Sequence, residues 1–238
     1  MTFNILADGS TWRYRRSGII RKILEINPDI MGLQEAMPMQ RNNLEEGLSA
    51  DYELIEFSIP VNYGNVMFIK RNEFTVLDSG FVEAAECGNM RYITWLLLRE
   101  ESSGGEFYIY NNHYCVSPMV SKETHSIELV GLIEQHQDQA GMNERATIVV
   151  GDFNSTRNNR IMEYLIDQVP IGGASNPLNL VDTWEVIYPT TPKPATTERG
   201  VAIDWILTMS GMTIVDASIG DSDGYSDHYP VTADVTLS

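Results

Sequence analysis

Lysine is scarce in this chain. Only Lys22, Lys70, Lys122 and Lys193 occur among 238 residues, and with the arginines they make 16 bases against 33 acids. The formal net charge of −17 excludes the extended basic face by which a nucleic-acid binder ordinarily shows itself. It leaves room for an anionic substrate whose charge is met by bound metal, since charges beyond about 8–10 Å are largely screened at moderate salt. Cysteine is rarer still. Cys87 and Cys115 lack the paired C-x-x-C spacing of a zinc site, and are either two buried thiols or one disulfide of an oxidising compartment. No apolar run approaches the roughly 20 residues of a membrane-spanning helix. No basic-then-apolar segment stands at the start as in a signal peptide. Met1 instead leads straight into Thr2-Phe3-Asn4-Ile5-Leu6, a strand already under way, as a trimmed leader would leave it. A secreted or periplasmic location is favoured over a cytoplasmic one, on the acidity and the cysteine pair.

What is present is the composition of an ordinary globular protein, 43% hydrophobic and 21% charged. No repeat, low-complexity tract or charge block divides it, so one domain is expected over residues 1–238. Thr2–Leu6 reads as a strand. Ile19, Ile20, Ile23 and Leu24 at helical spacing predict a helix over Trp12–Ile26, with Pro28 just beyond its end. Asp29–Leu33 reads as a short buried strand and Pro38–Leu48 as a helix. Tyr52–Phe57, Val66–Lys70, Phe74–Val82, Ile93–Arg99 and Phe107–Asn112 are strand-like runs parted by turn residues, so this stretch is expected to be largely antiparallel. A helix over Ser121–Gln139, a strand at Thr147–Val150 and a helix near Asn159–Gln168 follow. Three strands close the chain, Ile203–Thr208, Thr213–Ser218 and Val231–Leu237. The Pro/Thr-rich segment Tyr188–Gly200 reads as a surface loop. The order of elements predicts an α/β (α+β) protein, two sheets packed face to face with helices outside.

Polar residues stand where the strands end. Asn4 lies in the first, Gln34-Glu35 follows the second, and Asn112-His113 closes Phe107–Tyr110. Gly151-Asp152-Phe153-Asn154 follows Thr147–Val150, Asp204 opens Ile203-Asp204-Trp205-Ile206, and Ser226-Asp227-His228-Tyr229-Pro230 leads into the last strand. Each has an ordinary explanation by itself. Asp and Asn bond their own backbone in turns, and Glu35 would suit the start of a helix. Together they predict a shared cleft along one rim of the sandwich.

Over essentially its whole length the sequence resembles the endonuclease/exonuclease/phosphatase superfamily, the DNase I-like proteins. The matching elements are Thr2-Phe3-Asn4-Ile5, Pro28-Asp29-Ile30-Met31-Gly32-Leu33-Gln34-Glu35, Asn112-His113 and Gly151-Asp152-Phe153-Asn154. Ile203-Asp204-Trp205-Ile206 and Ser226-Asp227-His228-Tyr229-Pro230 complete the set. The appearance is closest to compact bacterial members. The resemblance implies a four-layer sandwich and divalent-metal-dependent hydrolysis of phosphoesters. It is specific for the superfamily and unspecific for substrate. Ala202 stands where relatives often carry Arg, and Asn112 where they frequently carry Thr. Neither departure removes an acid, a base or a metal ligand.

Hydrolysing a phosphoester requires neutralising the phosphoryl oxygens, activating a water and stabilising the leaving oxygen. Carboxylates and an Asn carbonyl suit Mg²⁺ or Mn²⁺. By resemblance, Glu35, Asp227 and Asn4 are the expected metal ligands. His228 is the expected general base, an imidazole titrating near neutral pH, and Asp204 its orienting carboxylate. Asp152 is expected to position the water or protonate the leaving group, with Asn154 and His113 hydrogen-bonded to the phosphate. Glu35, Asp152, Asp204 and Asp227 in one cleft would repel one another and the phosphate without a dication between them. His125 and His136, on the predicted helix, read as surface or internally satisfied positions, and Arg13, Arg15 and Arg16 as the start of a solvated helix face. The substrate is a phosphoester, with DNA or RNA placed ahead of small-molecule or lipid phosphoesters, and a catalytically inactive binding module placed last. No protein partner is evident.

Overall fold

The computed structural model describes residues 1–59, 64–141, 145–209 and 212–237. One sheet is built from β1 (Thr2–Asn4), β2 (Ile30–Gln34), β3 (Tyr52–Ile55), β4 (Val66–Lys70), β11 (Thr213–Ile219) and β12 (Val231–Thr236), in the order β11-β12-β1-β2-β4-β3. The other takes β5 (Phe74–Glu86), β6 (Met90–Glu100), β7 (Glu106–His113), β8 (Ala146–Asp152), β9 (Leu180–Asp182) and β10 (Asp204–Met209), in the order β5-β6-β7-β8-β10-β9. The helices are α1 (Trp12–Ile26), α2 (Pro38–Leu48), α3 (Met119–Ala140), α4 (Arg160–Asp167) and α5 (Thr183–Ile187). The two sheets are mostly antiparallel, as expected. Each holds one parallel pair, β1 with β2 and β7 with β8, bridged by α1 and α3 respectively.

Period-2 alternation explains the layering. In β4, Val66 and Phe68 face the cluster that includes Trp12, Ile19, Ile23 and Leu44 of α1 and α2, while Met67 and Ile69 face the other sheet. In β7, Tyr108 and Tyr110 pack with Leu129 and Ile133 of α3, while Phe107 and Ile109 face back into the middle. Strands buried on both faces read as continuous apolar runs, and that is how β4 and β8 look in sequence. The result is helix, sheet, sheet, helix. The sheets approach closely at Gly32, where an added Cβ would lie 2.7 Å from Val150 Cγ2 and 2.9 Å from Asn111 Oδ1. A buried polar bridge crosses the same place, Gln34 Nε2 donating to Asn111 Oδ1 (2.7 Å) and Asn111 Nδ2 to the carbonyls of Leu33 and Val66 (both 3.1 Å).

Trp12–Ile26, Pro38–Leu48 and Val66–Lys70 fall where the sequence puts them, and the middle strands run longer than their apolar cores. The structure adds two elements, revises one expectation and decides one open alternative. Leu180–Asp182 and Thr183–Ile187 form β9 and α5, elements too short to announce themselves by periodicity. Tyr188–Gly200 is not simply a surface loop, for Thr196 and Thr197 are buried and the Lys193 side chain is only 5% exposed. Finally, Cys87 and Cys115 are joined in a disulfide that ties the β5–β6 hairpin to the segment after β7.

Candidate active site

Parallel strands point their carboxyl ends the same way, and ligands in α/β sheets gather at such ends. Asn4, Gln34, His113 and Asp152 are the last residues of β1, β2, β7 and β8. Strand register brings the second sheet's groups side by side, since Asp152 pairs with His113 on one flank and with Asp204 on the other. Glu35, directly after Gln34, and Asn154, two residues after Asp152, lie in left-handed backbone, φ 62° and 48°. Asn adopts that region readily, but Glu does so at a cost, which tends to persist where surrounding structure and function demand it.

Side chains from both sheets meet in this rim. Asn4 Nδ2 donates to Glu35 Oε1 (3.0 Å) and to Asp152 Oδ2 (3.1 Å), while its Oδ1 accepts the Leu6 N–H (3.0 Å). Glu35 Oε2 accepts the Ala7 N–H at 2.7 Å. His228 Nδ1 sits 2.9 and 3.1 Å from the two Asp204 oxygens, and its Nε2 lies 3.9 Å from Asp152 Oδ2. Arg91 Nη1 lies 3.2 Å from His113 Nδ1. A guanidinium only donates, so His113 carries its proton on Nε2, which faces Asp152 Oδ2 (3.6 Å) and Glu35 Oε1 (3.8 Å) too far off for a hydrogen bond to either. That N–H is left to donate into the cleft. The Asp152 carboxylate accepts the Asn154 N–H (2.8 Å), and Asn154 Nδ2 donates to the Tyr114 carbonyl (3.0 Å). Asp227 is half-buried beside His228, its carbonyl accepting the Glu198 N–H at 2.9 Å.

Burial, with the nearby charge of Asp204, pushes the Asp152 carboxyl up to about 7. Burial works against a charged His228, but hydrogen bonding and charge from Asp204, then Asp152 and Asp227, prevail and raise it to about 9. The expectation of an imidazole titrating near neutrality is revised on that ground. His113 is held neutral, lowered to about 3 by burial first and by Arg91 second.

The donor set fits a hard dication. Asp152, Asp204 and His228 bring ligand atoms within 4.8 Å of one another, as no other group of three or more His, Cys, Asp or Glu does among the described residues. However, the hydrogen bond between His228 and Asp204 already engages two of those three. The gap between Glu35 and Asp152 is the better seat, because there an amide N–H group bridges two carboxylates as a cation would. As arranged, Asn4 holds these carboxylates and turns its oxygen toward Leu6. Serving as an oxygen ligand, as the sequence suggested, requires the amide to turn over. A cavity of ≈ 670 Å³, lined by residues such as Met1, Phe107, Ile148 and Val235, opens between the sheets at the opposite end of the strands and contains none of these groups.

Several contributors escaped the sequence. Arg15 belongs to no solvated face; it is buried, and all its donors reach Thr11 Oγ1 and the carbonyls of Ile5, Leu6, Asp8 and Tyr225. It thereby pins the loop after β1 to the one before β12. Thr196 Oγ1 donates to Asp204 Oδ2 at 2.5 Å. Lys122 donates to the Asn154 carbonyl. Neither His125 nor His136 is a surface position: both are buried, His136 on the Tyr110 hydroxyl (2.7 Å) and His125 through Nε2 on Asn112 Oδ1 (3.1 Å), while the buried His125 Nδ1 has no hydrogen-bond partner among the described residues. Arg91 follows Met90 in a β-run and offered no sequence signal.

The model of the "Endonuclease/Exonuclease/phosphatase family" matches residues 1–228. No curated protein sequence matches the chain. Among solved structures, an endonuclease/exonuclease/phosphatase from Bacteroides vulgatus superposes with a TM-score of 0.82 at 23% identity, covering 100% of this chain and 97% of that one. A mannosyl-6-phosphatase from Bacteroides thetaiotaomicron gives 0.78 at 18%, over 99% and 98%. The human Nocturnin catalytic domain with bound sulfate gives 0.77 at 21%, over 99% and 91%. With the family model spanning all but the last strand and the same fold in each of these structures, the chain belongs to the endonuclease/exonuclease/phosphatase family.

Proposed function

We propose that the protein is a divalent-metal-dependent phosphodiesterase acting on small-molecule or lipid phosphoesters in preference to nucleic-acid polymers. The observation that carries the reaction is the convergence of Asn4, Glu35, His113, Asp152, Asp204 and His228 on one rim from two sheets. Glu35 and Asp152 would hold a Mg²⁺ or Mn²⁺ ion, which would supply Lewis-acid neutralisation of the phosphoryl oxygens. His113 Nε2–H donates to one of those oxygens. Water attacks phosphorus opposite the leaving oxygen, so one P–O bond forms as the other breaks. The 3.9 Å between His228 Nε2 and Asp152 Oδ2 leaves room for that water against both. One of the pair takes its proton and the other protonates the departing alcohol, while Asp204 fixes the imidazole.

The choice of substrate rests in part on where the arginines go. The segments Trp12–Arg16 and Arg157–Arg160 carry the arginines a nucleic-acid strand would meet. Arg15 is buried on carbonyls, Arg157 is paired with Asp167 and Glu185, and Arg160 with Glu123. Those three are engaged away from a phosphate backbone, and Arg13 and Arg16, which face water, are too few for a continuous basic track. The disulfide supports a secreted or periplasmic location, where thiols oxidise.

The test is hydrolysis with Mg²⁺ or Mn²⁺ of duplex DNA, single-stranded DNA, RNA, bis-p-nitrophenyl phosphate and p-nitrophenyl phosphate, with an Asp152→Ala control. Turnover of the small esters alone, abolished by EDTA and by the substitution, is expected. Cleavage of polymer lost in the control would restore the nuclease. Full turnover in EDTA would remove the metal.

A further inference from the structure

Directly after the site, the chain does something its apolar composition resists. Tyr114 and Cys115 are fully buried, and then five consecutive residues, Val116-Ser117-Pro118-Met119-Val120, are exposed before Ser121 and Lys122 are buried again. Val116 is 70% exposed, Met119 41% and Val120 62%. Single exposed apolar side chains are ordinary. Three within five residues form a patch, and this patch is held in place. Cys115 is bonded to Cys87, Ser121 Oγ donates to the Glu86 carbonyl at 2.9 Å, and Lys122 donates to the Asn154 carbonyl. Asn154 in turn grips Tyr114 through its side chain. The exposed segment is therefore a shoulder that begins three residues after His113 and is tied at both ends to Asn154, through Tyr114 and Lys122.

We infer that this shoulder receives the apolar part of the substrate, so that the natural substrates are phosphodiesters with at least one ester group derived from an apolar alcohol. The inference rests on the phosphoesterase reading proposed above and names its substrate class. Residues Tyr114–Ser121 carry no charge at all, so an adjoining phosphate of a nucleic-acid strand finds no partner there. An alkyl or acyl chain laid on the same surface removes apolar area from water on both sides.

Methyl p-nitrophenyl phosphate and hexyl p-nitrophenyl phosphate share one leaving group and one reacting phosphorus, and differ only in the chain offered to the shoulder. A fully buried methylene is worth about fourfold in binding, and a surface contact less. We expect kcat/KM to be at least about tenfold higher for the hexyl ester, chiefly through KM. Val116→Ser/Val120→Ser should bring that ratio close to one, and Val116→Leu/Val120→Leu should restore it. Equal kcat/KM for both esters in the native protein, or a ratio that survives the serine pair, overturns the inference while leaving the hydrolase intact. Failure to turn over either ester removes the phosphoesterase reading and this one with it.

Discussion

Thr196 illustrates how a residue without chemistry of its own fixes one that has it. Its hydroxyl oxygen accepts the Ile203 and Asp204 N–H groups (3.0 and 3.1 Å), so its single proton goes to Asp204 Oδ2. That carboxylate is left free to hold His228 in one orientation. A hydrogen bond to a charged group is worth about 1.5–3 kcal/mol, so Thr196→Val should lower kcat by about 10- to 100-fold, and Thr196→Ser should recover most of it. Replacing His228 by Ala should cost at least about 10²-fold in steady-state turnover. His125 gives a pH dependence of stability. Burial lowers it to about 3, well below its ordinary 6.5, so the folded state resists a proton that the unfolded chain accepts. Its contribution is present above about 6.5 and is lost as the pH falls from there toward 3. Thermal midpoints measured across that window should drop less steeply in His125→Gln. The acids and histidines at strand ends were legible in the sequence because apolar runs framed them. Thr196 and Arg15 were not: one sits in a segment composed like a loop, the other between two arginines that do face water. Only partners distant in the chain, Asp204 and the Tyr225 carbonyl, set them apart.

At the scale of elements, the apolar pattern disclosed every helix and strand long enough to show a period. It missed β9 and α5, three and five residues long. Their conformations follow from pairing with β10 and from the Asp182 cap on Trp184 (3.3 Å), both tertiary or local details that no periodicity encodes. Gly32 is the opposite case, plain in sequence and silent about its purpose until the second sheet lies against it. Adding a methyl there drives into Val150 and Asn111, one of them part of a satisfied inter-sheet bridge. Overpacking of this kind costs about 1–3 kcal/mol. Gly32→Ala should shift the denaturation midpoint accordingly, and turnover should fall with it, because the two halves of the site ride on the two sheets.

The whole molecule is fastened at one further point. The Cys87–Cys115 disulfide closes a separation of 28 residues, and chain-entropy reasoning assigns such a cross-link about 3–4 kcal/mol. Cys87→Ala/Cys115→Ala should lose about that much in denaturant titration. A double variant as stable as the native protein would show that the hairpin packs equally well unlinked. Composition left this pairing open, since two cysteines without a motif are compatible with either redox state. The fold class and the overall architecture, by contrast, were visible from the order of elements and the family resemblance together.

The second sheet is drawn from one unbroken stretch, Phe74–Met209, whereas the first is assembled from strands on either side of it. β12 closes that first sheet by inserting between β11 and β1, and it follows His228 by only a few residues. On the ribosome, then, β1 emerges first and waits for its neighbour while the entire second sheet is made. Until Val231–Thr236 has left the exit tunnel, β1 presents an unpaired edge and His228 is not yet held against Asp204. The rim is therefore complete only once β1 and β12, separated in the chain by the whole second sheet, have met.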